Sequence, residues 1–339
     1  FKKSYYKKVS ELLINFPDNH TAKFVSPFIS AWLSAAQGNL EISPLQDTSM
    51  KLYHGILISD YLNDYSEIQK ILLDALKVED IQTTELVKIG DIYGHIGMKN
   101  EAVKIYKQAI SQMTGTDYGK SQTEVIHEKI KNVNNGENKA IFEEITSPQQ
   151  GVSKAFYDIA NILFHENNDE TAQIFAHISA FIDPGHHDAT LLLADIAGKY
   201  SQYQDALNFY KQVPEEHVDY IPSRHKMADI LIELEENNRA LNTLEQLAYK
   251  TKDIKTRIKI GDIYRRNEQF GLALDAYNKA TKELGQEIPD EYWHLYYLRG
   301  MTHEQAKNWQ SAEQDLKKAL SFRPNHCLTQ QYKKYLLSY

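Results

Sequence analysis

The chain has 339 residues, 42% of them hydrophobic, with 15 glycines, 9 prolines and a formal net charge of −8 at pH 7. That apolar content excludes global disorder, and the scarcity of Gly and Pro excludes a many-turned β protein. The acidic balance argues against a nucleic-acid binder, which needs a positive surface to displace counterions. Cys327 is the one cysteine, so an intramolecular disulfide and a cysteine-based zinc cluster are excluded. The longest apolar candidate, "ATLLLADIAG" at 189–198, is short and carries Asp195, so no membrane insertion is expected.

In chain order, 1–47 reads as irregular N-terminal helices. "SYYKKVSELLINFP" is amphipathic, lacks the apolar core of a signal peptide and resembles an orphan second helix. "KFVSPFISAWLSAAQGN" predicts one helix with a turn at Gly38, and no full second helix fits between Gly38 and Asp47. Residues 48–133 read as degenerate and regular helix pairs. The first, at 50–76, centres on Gly55 and has Glu67 where alanine is usual. A hidden pair around 118–147 would begin with "DYGKSQTEVIHEKIKNV" and close with a short "ENKAIFEEI". The stretch 134–152 is expected to be an irregular linker or hinge. Five regular units over 153–326 and a terminal helix over 327–339 complete the chain. The two orphan ends predict an excerpt of a longer array.

The unit is defined by a recurrence. "KIGDIY" stands at 88–93 and again at 259–264, 171 positions on, which is five steps of 34 and one more. Taking Gly90 as reference, the residues 12, 16 and 19 positions later are Ala102, Tyr106 and Ala109. Gly261 gives Ala273, Tyr277 and Ala280, and Gly300 gives Ala312, Leu316 and Ala319. Ala160, Ala194 and Ala228 lead in the same way to Ala172, Ala206 and Ala240. Each unit therefore predicts two helices joined by a tight turn, with small residues of the first facing alanine of the second where the axes come closest. One pair cannot bury its apolar face alone, so neighbours must stack.

These residues resemble the tetratricopeptide repeat, whose signature is Gly/Ala, aromatic, Ala, aromatic, Ala and a closing Pro. The 293–326 unit shows Trp293, Gly300, Ala312, Ala319 and Pro324, and the 254–287 unit Gly261, Tyr264, Phe270, Ala273, Tyr277 and Ala280. The resemblance implies an all-α fold, a right-handed α-α superhelix of stacked antiparallel helix pairs. "QQGVSKAFYDIA", "LLLADI" and "YWHLYYLRGMTHEQAKNWQSAEQDLKKAL" also resemble long tetratricopeptide proteins of alphaproteobacteria, which implies an envelope location.

Chemistry is sparse. "GHHD" at 185–188 reads as a surface turn, since adjacent histidines rarely converge on one ion and no H-E-x-x-H partner exists. The sequon at Asn19 matters only in a eukaryotic secretory setting. No phosphate loop or nucleophile elbow is present, Cys327 has no catalytic context, and no cofactor, metal or enzymatic activity is expected. One feature stands out. The residue after the reference is Asp91, Asp195, Asp229 and Asp262, with Asn161 in the intervening unit. In a tetratricopeptide superhelix this position of the first helix points into the concave groove. Lys88, Lys226 and Lys259 lie three residues earlier and are expected to pair with these aspartates at i,i+3. The alternative is a polar groove for a peptide, formed by Asp91, Asn161, Asp195, Asp229, Asp262 and Arg265, with Tyr157, Phe164 and Tyr297 as anchors. The resulting expectation is an interaction scaffold that binds another protein or peptide segment. A docking or regulatory module of a larger enzyme, or a self-associating structural protein, is the alternative.

Overall fold

The computed structural model describes residues 20–42, 45, 49–64, 67, 70, 72, 73, 76, 81, 83–113, 117–137, 144–285 and 289–324. The expected helices at 4–17 and 327–339, most of "ENKAIFEEI", and Cys327 lie outside them. Among the described residues fifteen α-helices follow one another: α1 (His20–Ala35), α2 (Ser49–Leu62), α3 (Thr83–His95), α4 (Lys99–Met113), α5 (Asp117–Asn135), α6 (Pro148–His165), α7 (Asp169–Ile182), α8 (His187–Lys199), α9 (Tyr203–Lys211), α10 (Tyr220–Glu233), α11 (Asn237–Thr251), α12 (Ile254–Arg266), α13 (Phe270–Leu284), α14 (Trp293–Gln305) and α15 (Trp309–Phe322). No strand occurs among the described residues. The fold is an all-α solenoid, and the chain divides into two compact bodies, 1–189 and 190–339.

The pairs form because the sequence ends each first helix in the same way. Its last turn closes with two backbone bonds, as in Met98 N to Tyr93 O and Gly97 N to Gly94 O, or Gln269 N to Tyr264 O and Glu268 N to Arg265 O. The residue between them is left-handed: Gly97, Asn167, Ser201, Glu235, Glu268 and Lys307, each seven positions after its reference residue. This is the Schellman arrangement, which satisfies orphan carbonyls and turns the chain back on itself. A side chain in this conformation costs about 1–2 kcal/mol relative to the right-handed one. Glu268→Gly is therefore expected to raise stability by about 0.5–1 kcal/mol, the relief being partly offset by glycine's greater unfolded-state entropy. A thermal melt checks this, and an unchanged or lower Tm contradicts it.

The left-handed residue also corrects the register of the degenerate unit. Asn63 is left-handed (φ 52°), and seven positions back stands Ile56, not Gly55. Ile56 and Leu72, sixteen positions later, are fully buried in one core with Leu86 and Tyr106. A Cβ on Gly55 would instead face Ile42 and Leu45.

The facing residues differ from expectation too. In an antiparallel pair the partners keep a constant index sum, so the reference residue lies opposite the residue sixteen positions on. A Cβ on Gly90 would stand 2.6 Å from the Tyr106 ring, one on Gly261 2.4 Å from Tyr277, and one on Gly300 2.5 Å from Leu316. In these three repeats the reference glycine makes room for a large side chain, while Ala194 faces Tyr210 with its methyl in place, and the alanine of the second helix faces the residue one turn further along. A Cβ on Gly94 meets Ala102 Cβ at 4.0 Å.

The interval 134–152 carries helix at both ends. α5 runs to Asn135, and α6 starts at Pro148, with Ser147 as N-cap accepting the Gln150 amide at 3.2 Å. α9 is short because Gln212, Val213 and Pro214 leave the helix after Lys211. The guanidinium of Arg224 replaces the missing turn, donating to the carbonyls of Tyr210 (2.5 Å) and Val213 (2.8 Å) while lying 4.4 Å over the Tyr220 ring.

Within the first body the stacking does not follow chain order. α1 and α2 pack on each other and both pack on α6, which α3, α4 and α5 separate from α2 in the chain. The wedge is Trp32, fully buried; a Cβ on Gly151 of α6 would lie 2.3 Å from its ring. The contact carries a buried polar chain. Trp32 Nε1 donates to His54 Nδ1 at 3.3 Å, leaving Nε2–H to donate to Asp158 Oδ2 at 3.2 Å, and Lys154 Nζ donates to Asp158 Oδ1 at 2.6 Å.

Candidate functional site

The second body presents the aspartate series on its first helices, α8, α10 and α12. Lys226 on α10 donates to Asp195 on α8 at 2.6 Å, and Lys259 on α12 donates to Asp229 on α10 at 2.5 Å. In the first body Lys129 on α5 donates to both oxygens of Asp91 on α3 at 2.9 Å. These pairs join neighbouring repeats and replace the i,i+3 pairs expected within each helix. The reason is geometric. Stacking sets consecutive first helices side by side, and the lysine stem crosses the roughly 8–10 Å between axes.

A tyrosine supports the row from below. Tyr106 donates to Asp91 at 2.6 Å, Tyr277 donates to Asp262 at 2.6 Å, and Tyr210 donates to Asp195. Burial, then the adjacent carboxylate, pushes each of these phenols far above the usual tyrosine range, so the hydroxyls stay protonated and remain donors. The repeat carrying Asp229 has Leu244 in place of the tyrosine, and there the lysine is the carboxylate's partner.

At Asp262 the row changes. The next first helix, α14, carries Leu298 where α10 and α12 carry lysine, and Leu298 packs against the core of Ile258, Tyr277 and Leu295. Arg265 of the same helix stands off at 4.0 Å from Asp262 Oδ1. Its Nε is buried without an acceptor among the described residues. On α14 the rings of Trp293 and Tyr297 lie 6.2 Å apart.

The first-body candidates sit elsewhere. Tyr157 stacks edge-on to His186 at 5.0 Å and takes Lys154 Nζ at 5.2 Å over its ring. Phe164 lies against His165, whose Nδ1–H donates to the Asn161 carbonyl at 2.7 Å. Gly185 of the GHHD turn is exposed as expected, and His186 is not. It is buried, with Nδ1 within 2.9 Å of Ser153 Oγ and 3.1 Å of Ser179 Oγ. Ser179 stands where three other repeats have Ala109, Ala280 and Ala319, and its hydroxyl joins that of Ser153 at this ring. Burial pulls the His186 pKa down.

Sequence reasoning missed Arg299, which makes a bidentate pair with Asp315 at 2.6 Å and also reaches Asn278 and Thr281 at 3.0 Å. No motif announces it, because it acts across three helices. The tyrosine support had a signal: Asp after the reference and Tyr sixteen positions on occur together in three repeats.

Exposed pairs of this kind contribute about 0.2–1 kcal/mol. A double-mutant cycle on Lys259→Met and Asp229→Asn is expected to show that coupling, and one on Lys259→Met and Asp262→Asn to show none. The reverse result would restore the i,i+3 assignment.

A family model described as tetratricopeptide repeat matches residues 86–112 and 294–326. A search among curated proteins finds no match. Similar solved structures include YrrB, described as a TPR protein with an unusual peptide-binding site (21% identity, 53% of this chain and 91% of that one, TM-score 0.42). Others are PilF of Pseudomonas aeruginosa (10% identity, 75% and 97%, TM-score 0.42) and the C-terminal part of a TPR repeat-containing protein from Cytophaga hutchinsonii (12% identity, 72% and 98%, TM-score 0.48). Residues 86–112 and 294–326 thus match the tetratricopeptide repeat, and the other regular units share their register and left-handed closure.

Proposed function

We propose that the chain is a non-enzymatic scaffold that holds a segment of another protein against the first helices of its second body. The observation that carries the reading is the regular row Asp195–Lys226, Asp229–Lys259 and Asp262 with Arg265, one step per stacked repeat. Charged donors and acceptors at a fixed spacing suit an extended or helical segment, whose own polar groups recur at fixed intervals. Tetratricopeptide folds serve broadly as protein-binding scaffolds, which supports the reading by analogy of fold.

The test is positional. A photo-crosslinking residue replaces Leu191 or Tyr297 on the first helices, or Gln246 or Lys318 on the second helices, in the full chain. Cross-links to one partner species from the first set and not from the second support the reading. Cross-links from the second-helix positions alone overturn it, and cross-links only to another copy of the chain assign self-association instead.

A further inference from the structure

Resting on that reading, we infer that Asp262, with Arg265, Trp293 and Tyr297, is a subsite for a lysine or arginine side chain of the bound segment.

The molecule itself shows what the aspartate in this position takes. At three steps an ammonium from the following repeat closes on it, from Lys129, Lys226 and Lys259, at 2.5–2.9 Å. At the fourth step that ammonium is absent: Leu298 occupies the lysine's place and turns into the core. Among the described residues, the Asp262 carboxylate keeps only the Tyr277 hydroxyl and a distant Arg265 at 4.0 Å. The Asp262 side chain is 29% exposed, so an incoming cation can reach it.

Two further features fit a basic side chain on a peptide. Tyr297 precedes Leu298, and Trp293 lies one helical turn before Tyr297 on the same helix, with the two rings 6.2 Å apart. An aliphatic stem and its charged end gain from such rings by packing and by cation–π attraction. Arg265 Nε, a buried donor without an acceptor among the described residues, suits a backbone carbonyl of the same segment. A carboxylate-bearing side chain would meet Asp262 and is disfavoured.

The probe is a fluorescently labelled capped peptide, Ac-AKAAKA-NH2, with two relatives in which lysine is replaced by acetyl-lysine or by glutamate. Binding to the full chain is followed by fluorescence anisotropy at low salt. The lysine peptide is expected to bind, and the acetyl-lysine and glutamate peptides to bind at least about tenfold more weakly. Asp262→Asn should weaken binding by the same order, whereas Gln246→Ala, at an exposed position of a second helix, should leave it unchanged. Two variants move the site. Leu298→Lys supplies the missing ammonium and should block the peptide, and Lys259→Met vacates Asp229 and should open a second site. If Asp262→Asn and Leu298→Lys leave binding unchanged while cross-links still map to the first helices, the subsite falls and the groove reading stands. If no peptide binds and cross-links map to second helices, both fall.

Discussion

Asp158→Ala is expected to cost the first body about 3–5 kcal/mol, because it removes the carboxylate partner of a buried histidine and of a mostly buried lysine. The carboxylate accepts from His54 at 3.2 Å and Lys154 at 2.6 Å, and these side chains are 0% and 12% exposed. Hydrogen bonding to His54 and the charge of Lys154 overcome burial and hold Asp158 ionised, its pKa lowered to about 2. His54 goes the other way: burial pulls its pKa below the ordinary 6.5, against the pull of Asp158. A base with a depressed folded pKa gives stability that is fully present above about pH 6.5 and drains away as pH falls toward the folded value. His186, also depressed by burial, drains in the same direction. Asp158 adds a second loss as pH falls from 3.8 toward about 2. The acid loss should appear first at α1 and α2, since protonating His54 Nδ1 removes the acceptor of Trp32. Indole fluorescence of Trp32, with Trp293→Phe and Trp309→Phe as background, should shift between pH 7 and 5. Amide exchange in α1–α2 should rise before that in α3–α4. A His54→Phe variant should lose the first step; if it keeps it, the histidine is not the sensor.

The repeat was legible because it is written in small residues. Ala102, Ala172, Ala206, Ala240, Ala273 and Ala312 hold one offset and are buried throughout. What they face was not legible. Alanine facing alanine is the natural guess for close helices, but antiparallel geometry sets Gly261 against Tyr277, and no spacing rule within one helix shows this. The aspartate row was legible as positions and not as partners. Lys226 lies three residues before Asp229 and thirty-one after Asp195; local spacing favours the first, and stacking delivers the second. The Gly55 register failed for a related reason. Glycine marked the expected place, while Asn63, an ordinary residue in sequence, carries the turn. The docking of α1 and α2 on α6 left no periodic trace, since Trp32, His54 and Asp158 are single residues far apart in the chain.

Gly261→Ala is expected to destabilise the second body by about 1–3 kcal/mol, although alanine is the better helix former by about 1 kcal/mol. The added methyl would lie 2.4, 2.7 and 2.8 Å from three ring carbons of Tyr277. The ring cannot step aside. It is fully buried among Ile258, Ala273, Ala280 and Leu295, and its hydroxyl is tied to Asp262 at 2.6 Å. Separating α12 from α13 is the remaining escape, and it opens space around Ala273, which is as costly as the clash it relieves. Gly271→Ala is the matched control. That glycine is exposed in α13, and a methyl there meets nothing within 4 Å, so the variant should gain up to about 1 kcal/mol. The double variant Gly261→Ala/Tyr277→Leu reproduces the Ala228–Leu244 pair that a neighbouring repeat already uses, and should recover part of the loss by trading the clash for a smaller side chain. Because repeat stability is shared with nearest neighbours, the single variant should also speed amide exchange in α11 and α14. Chemical denaturation of the variants side by side decides the matter. If Gly261→Ala and Gly271→Ala are equally stable, the Gly261–Tyr277 contact relaxes to the arrangement that Ala194 and Tyr210 already use, and the expected clash is wrong.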